Sequence, residues 1–259
     1  MDKIRRIKTI VFDLDRTLLH MDKTVSPHTL EVLARCREKG IGVMIATARP
    51  MRTAETYREM LCADAIVVSN GARVLCEDRK TEYGIAIASA ERLLAALGRY
   101  SDLRITLETG DIAYANQPIS DYEVTLSDDL IAVARNEGVL KLLVGLDRED
   151  TLARVKAELT EDLYYTVAHG RLMQIMDRSA TKWNGILTML EMEGISPDEV
   201  AYFGDDEDDI EPLRRCGVGV AVANAIPEAK SAADYITVSN DEDGVARFIE
   251  ENLLSESRI

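Results

Sequence analysis

Histidine is scarce in this chain: His20, His28 and His169 are the only three. An imidazole-built zinc centre is hard to assemble from so few, so any metal is expected to be a hard cation held by carboxylates. The four cysteines, Cys36, Cys62, Cys76 and Cys216, show no CxxC spacing. They read as small buried thiols rather than a disulfide framework, which favours the cytoplasm. No apolar run approaches the roughly 18 residues of a membrane span. The basic start, Met1–Lys8, leads into an apolar stretch that Asp13 and Asp15 interrupt, which does not suit a signal peptide. Positive charge is outnumbered, with 31 Lys and Arg against 46 Asp and Glu and a net charge of −15. That argues against a nucleic-acid groove and against attraction to an anionic membrane surface. An anionic substrate would need positive charge supplied locally. Walker A, GxSxG and HExxH patterns are missing, and Gly217-Val218-Gly219 lacks the third glycine of a dinucleotide fingerprint.

What is present is core-forming material. The chain has 259 residues, 46% of them apolar, enough for one large domain or two modest ones. Thr9–Asp13, Gly42–Thr47 and Ala65–Val68 are short apolar runs that suit strands buried on both faces of a parallel sheet. Between them lie helical stretches, the first opening on Ser26-Pro27 as N-cap and first helical residue. This alternation predicts a doubly wound sheet with right-handed crossovers. From about Tyr83 to Ala168 the texture changes. Helical Ala88–Arg99, hairpin-like Arg104–Glu108 and Ile112–Ala115, strand Lys141–Gly145, helix Asp147–Leu159 and strand Tyr164–Ala168 suggest a smaller α+β unit. The expected division is residues 1–82 and 169–259 for the main domain, with 83–168 inserted. Crossings are expected near Glu77–Glu82 and His169-Gly170. The α/β pattern then resumes, with helix Thr181–Glu193, a capping box at Ser196–Glu199 and strand Val200–Phe203.

Polar clusters follow strand ends or open helices, and in open α/β sheets that edge is where ligands bind. Asp13-Leu14-Asp15-Arg16-Thr17 places two carboxylates two residues apart, on one face of an extended chain. Like charges so close separate their pKa values, leaving one acid ionised and the other protonated. Thr47-Ala48-Arg49-Pro50 offers a hydroxyl and backbone N–H groups for anionic oxygens. Lys182 sits at a helix N-terminus, against the dipole, and needs something negative nearby. Gly204 is followed by the acidic run Asp205-Asp206-Glu207-Asp208-Asp209. Such a run is costly unless solvated or neutralised by a cation. It is not a calcium loop of the helix–loop–helix type, because position six counted from Asp205 is Ile210 rather than Gly. Taken singly, each cluster also fits a solvated loop, a capping Thr or a surface Lys.

Together, Asp13-x-Asp15-x-Thr17, Thr47, Lys182 and Gly204-Asp205-x-x-Asp208-Asp209 resemble a haloacid dehalogenase superfamily phosphatase of the Cof-type branch, which carries a large cap domain. Ser69-Asn70-Gly71-Ala72 and Gly219-Val220-Ala221-Val222-Ala223-Asn224-Ala225 add to the resemblance, which spans essentially the whole chain. It implies a Rossmann-like doubly wound parallel sheet core with an inserted α+β cap that selects the substrate. It implies Asp13 as nucleophile, forming an aspartyl-phosphate, and Asp15 as general acid and then base. Thr47 and Lys182 would hold phosphoryl oxygens, with Arg16, Ala48 and Asn224 as further substrate contacts. Mg²⁺ would be bound by Asp13, the Asp15 carbonyl and Asp205, with Asp208 and Asp209 orienting that shell.

The chain departs from the branch at Arg16, Ala48, Trp183 and Ala223, where glycine is common, and at Asp208, where asparagine is frequent. None of these removes a catalytic group. Trp183 and Arg16 are read as packing and solvent-facing respectively, and Asp121, Tyr122 and Arg135 as candidates for lining the substrate cleft. The expected protein is a cytoplasmic, Mg²⁺-dependent phosphomonoesterase of small phosphorylated metabolites, a monomer or weak homodimer. The rivals are a phosphomutase on the same core, a low-turnover binding or regulatory protein, and a calcium-binding acidic protein.

Overall fold

The computed structural model describes residues 3–120, 122–168 and 170–255. In chain order the strands and helices begin with β1 (Thr9–Phe12), α1 (Pro27–Glu38), β2 (Gly42–Ala46), α2 (Met51–Met60), β3 (Ala65–Val68), β4 (Arg73–Cys76) and β5 (Arg79–Glu82). Next come α3 (Ile87–Leu97), β6 (Ile105–Glu108), β7 (Ala113–Ala115), β8 (Thr125–Leu126), α4 (Leu130–Glu137), β9 (Lys141–Gly145), α5 (Thr151–Lys156), β10 (Leu163–Ala168) and β11 (Leu172–Asp177). The chain closes with α6 (Lys182–Glu193), β12 (Val200–Gly204), α7 (Ile210–Arg215), β13 (Val218–Ala221), α8 (Pro227–Ala232), β14 (Tyr235–Ile236) and α9 (Gly244–Asn252).

The chain divides into two units. The first takes in the described residues of Met1–Arg49, Ala54–Thr81 and Thr181–Ile259. Its sheet runs β14-β13-β12-β1-β2-β3-β4-β5. From β14 to β3 all pairs are parallel, and β4 returns antiparallel to β3. β1, β3, β12 and β13 are buried along their whole length, as continuous apolar runs between two helical layers must be. The doubly wound parallel core is therefore as expected. β1 lies between β12 and β2, where the strand order reverses, so the loops after these three neighbours converge at one sheet edge.

The second unit comprises Glu82–Ala180 together with Pro50–Thr53. Its sheet runs β10-β11-β9-β6-β7-β8, antiparallel except for the β7–β8 pair. Ile105, Leu107, Leu142, Val144, Met173 and Ile175 form one face and pack with Leu93, Leu94 and Leu97 of α3 and Leu130 and Ala134 of α4. The alternate residues form the other face.

Several boundaries differ from the sequence reading. The chain does not leave the second unit near residue 169, because β10 and β11 form an antiparallel hairpin and β11 also pairs with β9. The return comes at Thr181. The first crossing falls where expected, between Thr81 and Glu82, within the edge strand β5. Polar edge strands carry no apolar alternation, which is why β5 is silent in the sequence. The helix expected over Asp147–Leu159 shortens to α5, and α4 was not foreseen. Its N-cap is Asp129, whose carboxylate accepts from Ala132 N. His169 and Asp121 lie outside the described residues.

Candidate active site

Each key side chain stands at an element end in the first unit. Asp13 follows β1 and its N–H donates to Phe203 O of β12, which ties the two strand ends together. Thr47 follows β2, and its hydroxyl accepts from Arg49 N at 3.2 Å. Lys182 is the first residue of α6, whose N-cap Thr181 accepts from Asn184 N. The start of α6 is seated against the turn after β3. There Gly71 has φ 104°, and a Cβ on it would fall 2.0 Å from Thr181 O, so only glycine fits. Gly204 plays the matching part for the acidic loop, because a Cβ there would lie 2.5 Å from Asp209 Cγ.

The convergence is tight. Lys182 Nζ lies 3.1 Å from Asp13 Oδ1, 3.2 Å from Asp208 Oδ1 and 2.6 Å from Asp209 Oδ1. Its side chain is only 1% exposed. Burial alone would lower the Lys182 pKa, but Asp13, Asp208 and Asp209 outweigh it and hold the ammonium well above its ordinary range. Asp13 is pushed well above the usual carboxylate range by burial, against the pull of Lys182. Burial likewise pushes Asp205 up to about 7. Thr17 Oγ1 donates to Asp205 Oδ1 at 2.9 Å.

Asp13, Asp205 and Asp209 each offer a carboxylate oxygen within 4.8 Å of the others, all three buried. Four acids against one ammonium leave a deficit of positive charge, and an all-oxygen donor set suits a hard divalent cation. Asp209 is heavily engaged already. Its Oδ2 accepts from Asp205 N and Asp206 N, and its Oδ1 accepts from Lys182 Nζ and Tyr202 Oη. Those bonds aim the acidic loop. Asp208 Oδ2 accepts from Asn70 Nδ2 at 2.9 Å, linking the loop to the Ser69–Gly71 turn.

Asp15 stands at the rim, partly exposed. Arg49 grips it with Nε at 2.6 Å and Nη2 at 2.7 Å, and Lys23 Nζ adds a third bond at 2.7 Å. Burial raises the Asp15 pKa, but the Arg49 and Lys23 hydrogen bonds overcome it and hold the carboxyl below its usual range. Neither cation was singled out in the sequence. Arg49 sits inside the Thr47 cluster, but Lys23 carries no signal, because a positive-φ turn brings it back onto Asp15.

Other expected contacts sort differently. Arg16 takes φ 63°, its side chain is half-exposed, and Nε reaches only 3.7 Å from Asp205 Oδ2. Asn224 is committed to the scaffold, donating to Arg16 O at 2.7 Å and accepting from Asn240 N at 2.9 Å. Ala48 lies in the turn that carries Thr47. Trp183 is buried, with the Arg215 guanidinium 5.5 Å from its ring centre. In the second unit Tyr122 Oη donates to Thr106 Oγ1, whereas Arg135 pairs with Glu91 on the helical layer, so these two candidates stand on different layers.

Residues 10–249 match the family described as haloacid dehalogenase-like hydrolase. The chain belongs to that family. The resemblance read from the motifs, to a haloacid dehalogenase superfamily phosphatase, is borne out. The chain is 28% identical to the 5-amino-6-(5-phospho-D-ribitylamino)uracil phosphatase YitU of Bacillus subtilis, over 93% of this chain and 96% of that one. It is 25% identical to the phosphoglycolate phosphatase of Methanothermobacter thermautotrophicus, over 94% and 97% of the two. A crystal structure of a haloacid dehalogenase-like hydrolase from Bacteroides thetaiotaomicron superposes with a TM-score of 0.85 at 26% identity, covering 95% and 99%.

Proposed function

We propose that this family member is a Mg²⁺-dependent phosphomonoester hydrolase of small phosphorylated metabolites, working through an aspartyl-phosphate on Asp13. The observation that carries the reading is the buried Asp13 carboxylate facing Lys182 Nζ at 3.1 Å, inside an acid cluster short of positive charge. The named phosphatases among its relatives support the reaction class.

Asp13 attacks phosphorus, and the bond to the leaving oxygen breaks with its electron pair on that oxygen. Asp15, as the acid, gives that oxygen a proton. Water then attacks the phosphorus of the aspartyl-phosphate and hands a proton to the Asp15 carboxylate. Inorganic phosphate leaves and Asp13 is restored. Lys182 and the Thr47 hydroxyl hold the equatorial phosphoryl oxygens. Arg49 and Lys23 favour the ionised Asp15 that the water step needs, and proton donation in the first step requires their grip to loosen. Asp13, Asp205 and the Asp15 carbonyl would hold Mg²⁺, which offsets phosphoryl charge when bound. Asp208 and Asp209 orient that shell. The inserted unit selects the substrate.

The test is phosphate release from para-nitrophenyl phosphate and a panel of phosphorylated metabolites, with and without Mg²⁺, on wild type and Asp13→Asn. Release that needs Mg²⁺ and vanishes in the variant is the expected result. Activity retained in Asp13→Asn would remove the nucleophile.

A further inference from the structure

One buried titratable group of the first unit has no part in the phosphoryl chemistry. Tyr202 lies midway along β12, with Val11 of β1 and Gly219 of β13 as its register partners. It is 0% exposed. A buried hydroxyl is costly without an acceptor, and phenylalanine would fill the place with no polar atom to satisfy. The acceptor here is Asp209, whose Oδ1 takes the Tyr202 hydroxyl at 2.5 Å. Burial and the adjacent Asp209 charge hold the phenol well above its ordinary range, so the hydroxyl keeps its proton.

The same oxygen accepts from Lys182 Nζ at 2.6 Å. Asp209 Oδ2 takes Asp205 N at 2.8 Å and Asp206 N at 3.1 Å. Asp209 thus meets a donor at each of the roughly four lone-pair positions of an ionised carboxylate. Lys182 faces Asp13 at 3.1 Å and Asp208 at 3.2 Å as well, so its ammonium is shared among three acids. How it divides depends on the negative charge each acid presents. A second donor on Asp209 Oδ1 spreads that oxygen's charge and weakens its pull on Lys182. The ammonium is then left closer to Asp13, where a phosphoryl group is taken up. The same hydrogen bond lessens the negative field of Asp209 at Asp13 and Asp205, the carboxylates that would hold Mg²⁺.

We propose that Tyr202 is a positioning residue that acts through Asp209: its hydroxyl keeps Lys182 from being drawn wholly onto Asp209 and so leaves the ammonium available to a phosphoryl oxygen. The role rests on the phosphatase reading. Without the hydroxyl, Lys182 is the one remaining donor on Asp209 Oδ1 and moves toward it, away from Asp13. The acid cluster also gains the negative charge that the hydroxyl had offset. Phosphate is then held more weakly and Mg²⁺ more tightly. Opposite shifts are the signature of this role, because a side chain that only fills the core would loosen both.

The test is Tyr202→Phe, which removes one oxygen, keeps the ring and leaves Asp209 with three donors, so the fold is preserved. Isothermal titration calorimetry with Mg²⁺ alone, and with inorganic phosphate at saturating Mg²⁺, reads both affinities without turnover. Loss of one hydrogen bond to a charged group corresponds to about a 10- to 100-fold change. Divided between two ligands, that is about 3- to 10-fold for each. The Mg²⁺ Kd is expected to tighten by that factor and the phosphate Kd to weaken by it, with KM for para-nitrophenyl phosphate rising more than kcat falls. In an Asp209→Asn background the same substitution should move either Kd by no more than about twofold, since the charge it acts through is gone. Shifts in one direction for both ions, no shift, or the same shifts in the Asp209→Asn background would overturn the role. Wild type that binds neither ion would sink the phosphatase reading and this role with it, whereas binding indifferent to Tyr202→Phe sinks the role alone.

Discussion

Arg49 holds Asp15 by both carboxylate oxygens, with Nε 2.6 Å from Oδ2 and Nη2 2.7 Å from Oδ1. The guanidinium is itself fixed, lying 4.9 Å from the Tyr57 ring centre, and Tyr57 Oη donates to Lys23 O. The folded Asp15 pKa is depressed, so the pair contributes stability above the unfolded value of about 3.9, lost as pH falls through the folded value. Because the pair is partly exposed, Arg49→Met should cost no more than about 1 kcal/mol at pH 7. Urea melts should show the gap between wild type and variant closing below about pH 4. A gap that does not narrow at all as the pH is lowered would mean the arginine stabilises by packing alone.

Lys182 Nζ bridges three acids, buried Asp13 and Asp209 and partly buried Asp208. Removing one member of a buried charge cluster costs about 3–5 kcal/mol. Lys182→Met is therefore expected to lose that much in denaturant melts and to have no measurable turnover. Mg²⁺ should recover part of the stability but not the activity.

Metal binding should itself stabilise the fold. A ligand at 100 times its Kd adds about 2.7 kcal/mol. With Asp205 raised to about 7 by burial, the metal-free protein becomes less stable as Asp205 is forced to ionise with rising pH. The difference in melting temperature between Mg²⁺ and EDTA should therefore widen from pH 5.5 to pH 8. In Asp205→Asn it should shrink at both pH values, and an unchanged difference would displace the metal from these acids.

Gly71→Ala tests how the site is held rather than what it contains. The new Cβ meets the Thr181 carbonyl, a backbone atom that cannot swing aside, at a φ that L residues rarely adopt. The start of α6 must shift, and Lys182 with it. A loss of about 1–3 kcal/mol in stability is expected, with kcat reduced on the order of 100-fold because small misplacements are costly. Normal turnover would show that the helix start tolerates the displacement.

The thiols should react unequally. Burial pushes Cys36 and Cys76 up to about 11 and Cys216 higher still, whereas Cys62 is exposed. At pH 8 a disulfide reagent should consume one thiol quickly, and the other three only on unfolding. Cys62→Ser should remove the fast phase.

Much of the first unit was legible in the sequence. β1, β2, β3 and β12 are apolar runs whose burial on both faces leaves a continuous hydrophobic signal. Their ends carry Asp13, Thr47 and Asp205, and strand order alone brings those ends to one edge. Ser26 and Ser196 announced helix starts through local hydrogen bonding that needs no distant partner. Tertiary structure alone decided the rest. Lys182 was expected to need something negative nearby, but that it meets Asp13, Asp208 and Asp209 depends on Gly71 letting its helix seat against the β3 turn. Asn224, read as a substrate contact, turned out to be bound to backbone far away in the chain, and Lys23 reached Asp15 through a turn with no hydrophobic pattern. β11 belongs to the second unit because of its partners β9 and β10, not because of its composition. Strand identity and helix caps are local properties written in residue type and period. Which cation meets which acid depends on contacts between segments tens or hundreds of residues apart, on which periodicity carries no information.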